Sequence, residues 1–253
     1  MLEIKFDGVA AERALLKAVG GQKRREVMTG ALSKVAGLAR QRVMERMGGG
    51  HGHAAIFDRP TPFTVHSIRY HPASGEALQA EVYISDDAAK GISPRKYLRP
   101  EIEGGARNMK RSERVLIAAG DMLSNQSMVP SRQFPLDRYG NVPGPKMVQI
   151  LSRVKAFGEV GYAANANKRT TKRLQKLGVT IHKKTGTDYF VARGHSGQPL
   201  GIWQVTSPGQ VRPVLIFTDK RPAYRARFPF VDLVMDVFNR YWSAEVVRAL
   251  IED

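Results

Sequence analysis

Residues 97–116 read YLRPEIEGGARNMKRSERVL, from Tyr97 to Leu116. Pro100 and the pair Gly104-Gly105 bound a segment that reads as extended. From about Ala106 the apolar residues return at helical steps among Arg107, Lys110, Arg111 and Arg114. That pattern predicts an amphipathic basic helix to about Ala119, ended by Gly120. An extended stretch joined to a helix predicts a mixed architecture, and both periodicities recur on either side of it.

Upstream, Leu2, Ile4 and Phe6 alternate with Glu3 and Lys5, which predicts a short strand. A helical pattern runs from about Ala10 to Val19 and breaks at Gly20-Gly21. A longer helix is expected from about Lys23 to Met47. Met28, Leu32, Val35, Ala36, Ala39, Val43 and Met47 recur there at steps of three and four. Gly48-Gly49-Gly50 ends it, and His51 to Pro62 reads as loop. Phe63–Tyr70 and Leu78–Ile84 read as an antiparallel pair, and Ser85–Arg95 as loop.

Downstream, Met122–Lys146 carries Pro130, Pro135, Pro143 and Pro145 and predicts a long irregular arm or loop. Met147–Phe157 reads as a short helix. Val179–Lys183, Asp188–Ala192, Gly201–Val205 and Val214–Thr218 read as short strands between turns. A last helix is expected from about Pro229 to Ile251, with Val231, Val234, Met235, Phe238, Tyr241, Trp242, Val246 and Ala249 on its core face. The predicted class is α+β: antiparallel sheets of short hairpin strands flanked by amphipathic helices. The 253 residues fit one large domain or two small ones; the expectation is a single domain, 1–253, with 122–146 as an extended arm.

Composition narrows the chemistry. The chain has no cysteine, so disulfides, thiolate catalysis and cysteine-ligated zinc are excluded. No apolar run approaches the roughly 20 residues of a membrane helix, so no membrane partner is expected. MLEIKFDG, charged from its third residue, has no apolar signal core, and export by that route is not expected. Net charge is +17, with a pI near 10.3. Such a surplus favours nucleic acid, a negative membrane surface or an acidic protein face, or keeps a solvated surface soluble.

No motif for catalysis stands out. His51-Gly52-His53 has metal-ligand spacing but sits in a glycine-rich loop with no third ligand nearby. Asp86-Asp87 and Glu101/Glu103 are paired carboxylates without a supporting motif. A nuclease reading would need Glu101, Glu103 or Asp188 to converge on a metal. No nucleophile elbow or phosphate loop is present. The expectation is no catalytic residue, no metal and no cofactor.

The strongest charge feature is Lys168, Arg169, Lys172, Arg173 and Lys176 at helical spacing, followed by Lys183 and Lys184. This stripe suits a phosphate backbone or an acidic subunit. It lacks interleaved aromatics and any base-reading motif, so contact with DNA would be indifferent to sequence. Candidates for a subunit interface are Tyr97, Arg99, Arg107, Lys110 and Arg111 in the opening stretch, Tyr139 in PLDRYGN, and Tyr224, Arg225, Arg227 and Phe228 in YRARFPF. Aromatic residues and arginine are enriched at interface hot spots. A core or edge position explains YRARFPF equally well.

Read in order, YLRPEIEGGARNMKRSE, PLDRYGN, YFVARG, GIW, PVLIF and YRARFPF resemble the minor tail protein Z or tail-completion (head–tail joining) family of tailed bacteriophages. The resemblance spans about Met1 to Asp253 and rests on the order of motifs that are individually short. It implies a structural virion protein at the head–tail junction or upper tail, without cofactor, assembled in the host bacterial cytoplasm. It further implies a homo-oligomeric ring around the DNA channel, next to portal, connector or tail-tube proteins. A short-tail adaptor or collar protein is the nearest alternative, and a non-virion, sequence-independent DNA-binding protein is another.

Overall fold

A computed structural model describes residues 3–7, 21–50, 52, 54–74, 78–88, 91–154, 189–207 and 210–251. Among these the fold is α+β, with antiparallel sheets of short strands and six helices. The expected single domain is corrected to two compact units: residues 1–105 with 224–253, and residues 106–223. The long central connection that reads as an arm belongs instead to the second unit.

Unit 1 is built on helix α1 (Gly21–Gly48). Its stripe is as the spacing predicts: Met28, Leu32, Val35, Ala36, Ala39, Val43 and Met47 are all fully buried. Strands β1 (Glu3–Asp7), β2 (Ile68–His71) and β3 (Gln79–Ile84) form an antiparallel sheet in the order β1-β3-β2. Ala80, Val82 and Ile84 alternate inward along β3 onto α1. The last helix, α6 (Phe230–Ile251), packs along α1. Its buried positions are Phe230, Val234, Val237 and Val246. Val231, Met235 and Tyr241, expected on the core face, are exposed. Val234, Phe238, Trp242, Val246 and Ala249 do pack inward as expected, joined by Phe230 and Val237.

Residues 63–65, read as the start of a strand, fall instead in a single helical turn, α2 (Pro62–Val65). Thr61 caps it by accepting the Thr64 N–H at 3.1 Å. The stretch expected to be extended forms helix α3 (Pro94–Glu103). Pro94 has the fixed φ that suits a first helical turn, and Leu98 and Glu101 are buried. Pro100 lies inside α3, so the helix lacks the N–H that would reach the Lys96 carbonyl. Gly104, at φ 76°, ends the helix, and its N–H reaches the Pro100 carbonyl at 2.9 Å. A Cβ there would meet the Tyr224 carbonyl at 3.4 Å, an ordinary contact, so the positive φ is what favours glycine.

Two short strands, β4 (Gly105–Ala106) and β9 (Ala223–Tyr224), stand where the chain leaves and re-enters unit 1.

Unit 2 holds helices α4 (Arg111–Ala118) and α5 (Gly144–Arg153) and a four-stranded antiparallel sheet. The strands are β5 (Ser127–Pro130), β6 (Tyr189–Arg193), β7 (Pro199–Ser207) and β8 (Gln210–Thr218), in the order β5-β8-β7-β6. Leu116, Ile150 and Leu151 from the helices meet Ile202, Leu215 and Phe217 from the sheet. The expected arm is tied down: β5 lies within it, and Met122, Met128 and Phe134 are buried in this core. Proline density is what suggests an arm, yet three apolar anchors outweigh it.

Helix α4 starts at Arg111, five residues later than the periodicity predicts. Glu113 accepts the N–H of Lys110 at 2.6 Å, which fixes the start of the helix there. Gly201, paired with Ile216 just before the register shift at Ile202/Trp203, has a φ of 156°, and a Cβ there would lie 2.3 Å from the Leu215 carbonyl oxygen. No other residue fits that approach.

Candidate functional site

The candidate interface residues fall on both units. In unit 1, Tyr97 lies on α3, and its hydroxyl is 2.9 Å from Thr64 Oγ1. Burial pushes that hydroxyl's pKa up, opposed by the Thr64 bond. Arg99 donates to Glu103 one turn later, at 2.7 Å. Tyr224 is half-buried and Arg225 exposed. Arg227 donates to Glu101 at 2.5 Å, and its guanidinium stands 5.1 Å above the Phe57 ring. The Glu101 bond raises the pKa of Arg227.

Phe228 is no surface residue. Only 1% exposed, it packs edge-on against Phe57 and Phe230. Its assignment to a subunit interface is therefore corrected to the core. The Arg227 and Phe228 N–H groups both donate to the Glu101 carbonyl at 2.9 Å. That anchor turns the Phe228 ring inward.

In unit 2, Arg107 is committed to the interior. Its guanidinium grips Glu113, with Nη1 to Oε2 at 2.8 Å and Nη2 to Oε1. Glu113 is 1% exposed and also accepts the N–H of Met128 at 2.8 Å. Burial alone would push its carboxyl pKa up; Arg107 and the N–H groups of Met128 and Lys110 outweigh that and hold it low. Lys110 and Arg111 are exposed at the start of α4. Tyr139 lies in a turn under Arg138, whose guanidinium is 4.7 Å from the ring centroid.

Lys168, Arg169, Lys172, Arg173, Lys176, Lys183 and Lys184 lie outside the described residues, as do His51, His53 and Asp188. Glu101 and Glu103, weighed as metal ligands, each meet an arginine instead, Arg227 and Arg99. Asp86 accepts from Ser93 Oγ, and Asp87 receives the Ser85 hydroxyl at 3.2 Å. Among the described residues no three His, Asp or Glu gather as a metal site, and no helix is long and apolar enough to cross a membrane.

Two surfaces were not among the sequence candidates. The first is the second face of the unit 2 sheet, which among the described residues stands outside the core cluster, with Val129, Ala192, Trp203 and Val205 half-buried. Residues opposite one another in the ladder share a face. Phe190, Trp203 and Pro213 form one row; Ala192, Gly201, Ile216 and Val129 form the next; Val205 and Val211 form a third. All belong to the face opposite Ile202 and Leu215. Phe190, Val211 and Ile216 are exposed at 39%, 49% and 41%. Gln204, a polar residue of β7, is instead buried and accepts from Arg212 at 2.8 Å. Apolar residues at both parities in GIW and VLIF are the signal for this face, since such strands are covered on both sides.

The second surface is a groove in unit 1 between α1 and α6, of about 390 Å³. Leu38 and Val237 line it with Arg42, Arg240 and Tyr241. Gln41 donates to Glu45 at 2.9 Å on one wall, and Asp236 approaches Arg240 at 3.9 Å on the other. Beyond the groove, Ser243, Ala244, Val247, Arg248 and Ile251 line a shallow depression along α6.

No protein-family model matches this chain, and comparison with curated proteins and with solved structures returns no match.

Proposed function

We propose that this chain is a structural part of a tailed-phage particle, placed at the head–tail junction or upper tail. In this reading it forms an oligomeric ring around the DNA channel and connects or completes the tail. It acts by being buried between neighbours, and it turns over no substrate. The ordered series of short motifs from Tyr97 to Phe230 supplies the phage assignment.

The observation that carries the assembly reading is the second sheet face of unit 2. Trp203, Phe190, Ile216, Val211 and Val129 give it no charged residue along three ladder rows. A contiguous apolar face of this kind marks a surface that another protein covers. The surplus of +17 suits a neighbour that is acidic, or the DNA inside a channel.

Sedimentation velocity and negative-stain imaging test the reading, on the full chain alone and mixed with portal or tail-tube proteins. The expected result is a closed ring of discrete mass. A chain that stays monomeric at high concentration and with each of those partners would overturn it.

A further inference from the structure

The surplus of positive charge is not shared evenly between the units. Residues 106–223 hold 20 of the 40 lysines and arginines but 6 of the 23 acidic residues, a net +14 out of +17. In the described part of unit 2 most of the acids are spent inside the fold. Glu113 is held by Arg107, and Asp121 by Arg193 at 3.2 Å. Asp137 accepts the N–H groups of Tyr139 and Asn141.

Five cations are left over at one end of this unit. Lys110, Arg111 and Arg114 are exposed at the start of α4. Arg111 and Arg114, three residues apart, share one face of that helix. Lys220 and Arg221 are exposed in the turn after β8. Backbone contacts bring the two groups together. The Arg107 N–H reaches the Pro222 carbonyl at 3.4 Å. Glu113 accepts the N–H groups of Lys110 and Met128, and Ser127, next to Met128, pairs with Thr218 at the end of β8. Among the described residues no carboxylate pairs with any of the five. Asp219 is the one acid in the turn, so the group is strongly unbalanced.

The surroundings decide which polyanion fits. A protein interface is depleted of charge at its core and centres on aromatic anchors. Residues 107–118 and 218–222 contain no aromatic residue. Single-stranded nucleic acid also wants aromatic platforms on which its bases stack. Duplex DNA needs neither, and it presents one negative charge for about every 1.7 Å of its axis.

We propose that this end of unit 2 binds the phosphate backbone of duplex DNA. Lys110, Arg111, Arg114, Lys220 and Arg221 contact the phosphates, which carry no sequence information. The proposal rests on the assembly reading only in taking that duplex to be the DNA of the channel.

The test is fluorescence anisotropy with the full chain and short labelled duplexes of two unrelated sequences, over a salt series. The expected result is equal affinity for both, falling linearly on a log–log plot against salt. Arg111→Gln with Arg114→Gln should lower that slope by about 2 and weaken binding about tenfold or more near about 0.1 M salt. Lys220→Gln with Arg221→Gln should do the same. Arg95→Gln with Lys96→Gln removes two charges from exposed sites on α3 in unit 1 and should leave the slope unchanged. Circular dichroism checks that these surface variants remain folded.

Equal losses from all three pairs would reduce the effect to bulk charge and overturn the proposal. An unchanged slope in either unit 2 pair would overturn it too, as would a preference for one duplex sequence. If poly-glutamate displaces the labelled duplex as well as unlabelled duplex of equal charge does, the occupant is an acidic protein and the proposal falls. Rings that form while the unit 2 pairs bind DNA normally remove this inference and leave the assembly reading standing. DNA binding lost in those pairs, by a chain that never forms rings, does the reverse.

Discussion

Glu113→Ala is the sharpest perturbation of unit 2. The side chain is buried, and four donors converge on it: two from Arg107, and the N–H groups of Lys110 and Met128. Removing the carboxylate takes from Arg107, whose side chain is 12% exposed, its counter-charge, although Nη1 still donates to the Asn108 carbonyl at 3.0 Å. Breaking such a pair from one side costs about 3–5 kcal/mol. The orphaned Met128 N–H, in a buried strand, adds about 1–3 kcal/mol, and the two costs overlap. A net loss of about 4 kcal/mol is expected, against a whole-domain stability of about 5–15 kcal/mol.

The two tryptophans report the units separately, since Trp203 lies in unit 2 and Trp242 in unit 1. Urea titration followed by Trp203, in a Trp242→Phe background, gives the number. Arg107→Met with Glu113→Leu removes both charges and should cost clearly less than Glu113→Ala alone, because no bare ion remains. A loss below about 1 kcal/mol for Glu113→Ala, or equal losses for the single and double variants, would refute this account of the knot.

Four further outcomes follow from the same geometry. Because its neighbours hold Glu113 below the usual carboxylate range, its contribution is complete above the unfolded value of about 4.3 and drains away as pH falls through the lowered folded value; acid titration of Trp203 fluorescence should show this, and Glu113→Gln should flatten it. Phe228→Ala should destabilise unit 1 by about 3–5 kcal/mol, read at Trp242, since the ring packs between Phe57 and Phe230. Gly201→Ala should cost about 3 kcal/mol or more and disorder the β7–β8 ladder, visible as lost amide-exchange protection, because the new methyl meets the Leu215 carbonyl. Ile216→Asp should leave the fold within about 0.5 kcal/mol and yet abolish ring formation in sedimentation, since the side chain is exposed on the second sheet face.

The long periodic elements were legible because their signal is local. Helix α1 shows its buried stripe in the spacing of Met28 to Met47, and the hairpin strands show theirs in alternation. The failures share a cause: a tertiary contact overrode a local cue. Pro100 and the paired glycines suggest extended chain, but Pro94 starts a helix and Leu98 ties it to the core. Helix α4 is delayed because Glu113 reaches back to Lys110. Met122–Lys146 is rich in proline, yet Met128 and Phe134 anchor it.

The candidate interface was legible only in part. Exposed Arg99, Arg111 and Arg225 are where a surface reading puts them. Arg107 and Phe228 look identical to such residues in sequence, and only their partners, Glu113 and the Phe57 and Phe230 rings, draw them inward. Glu101 and Arg227 lie 126 residues apart, so no spacing rule joins them. The second sheet face did leave a trace: Ile202, Trp203 and Val205 are apolar at both parities, while buried Gln204 breaks the alternation in the opposite sense.

Quantitative mass spectrometry of purified particles encoded by the same genome addresses the central claim most directly. The account predicts this chain as a fixed small multiple per particle, retained with the tail or neck fraction after the heads are opened. Its absence from those particles, together with magnesium-dependent DNA cleavage by the purified monomer, would contradict it.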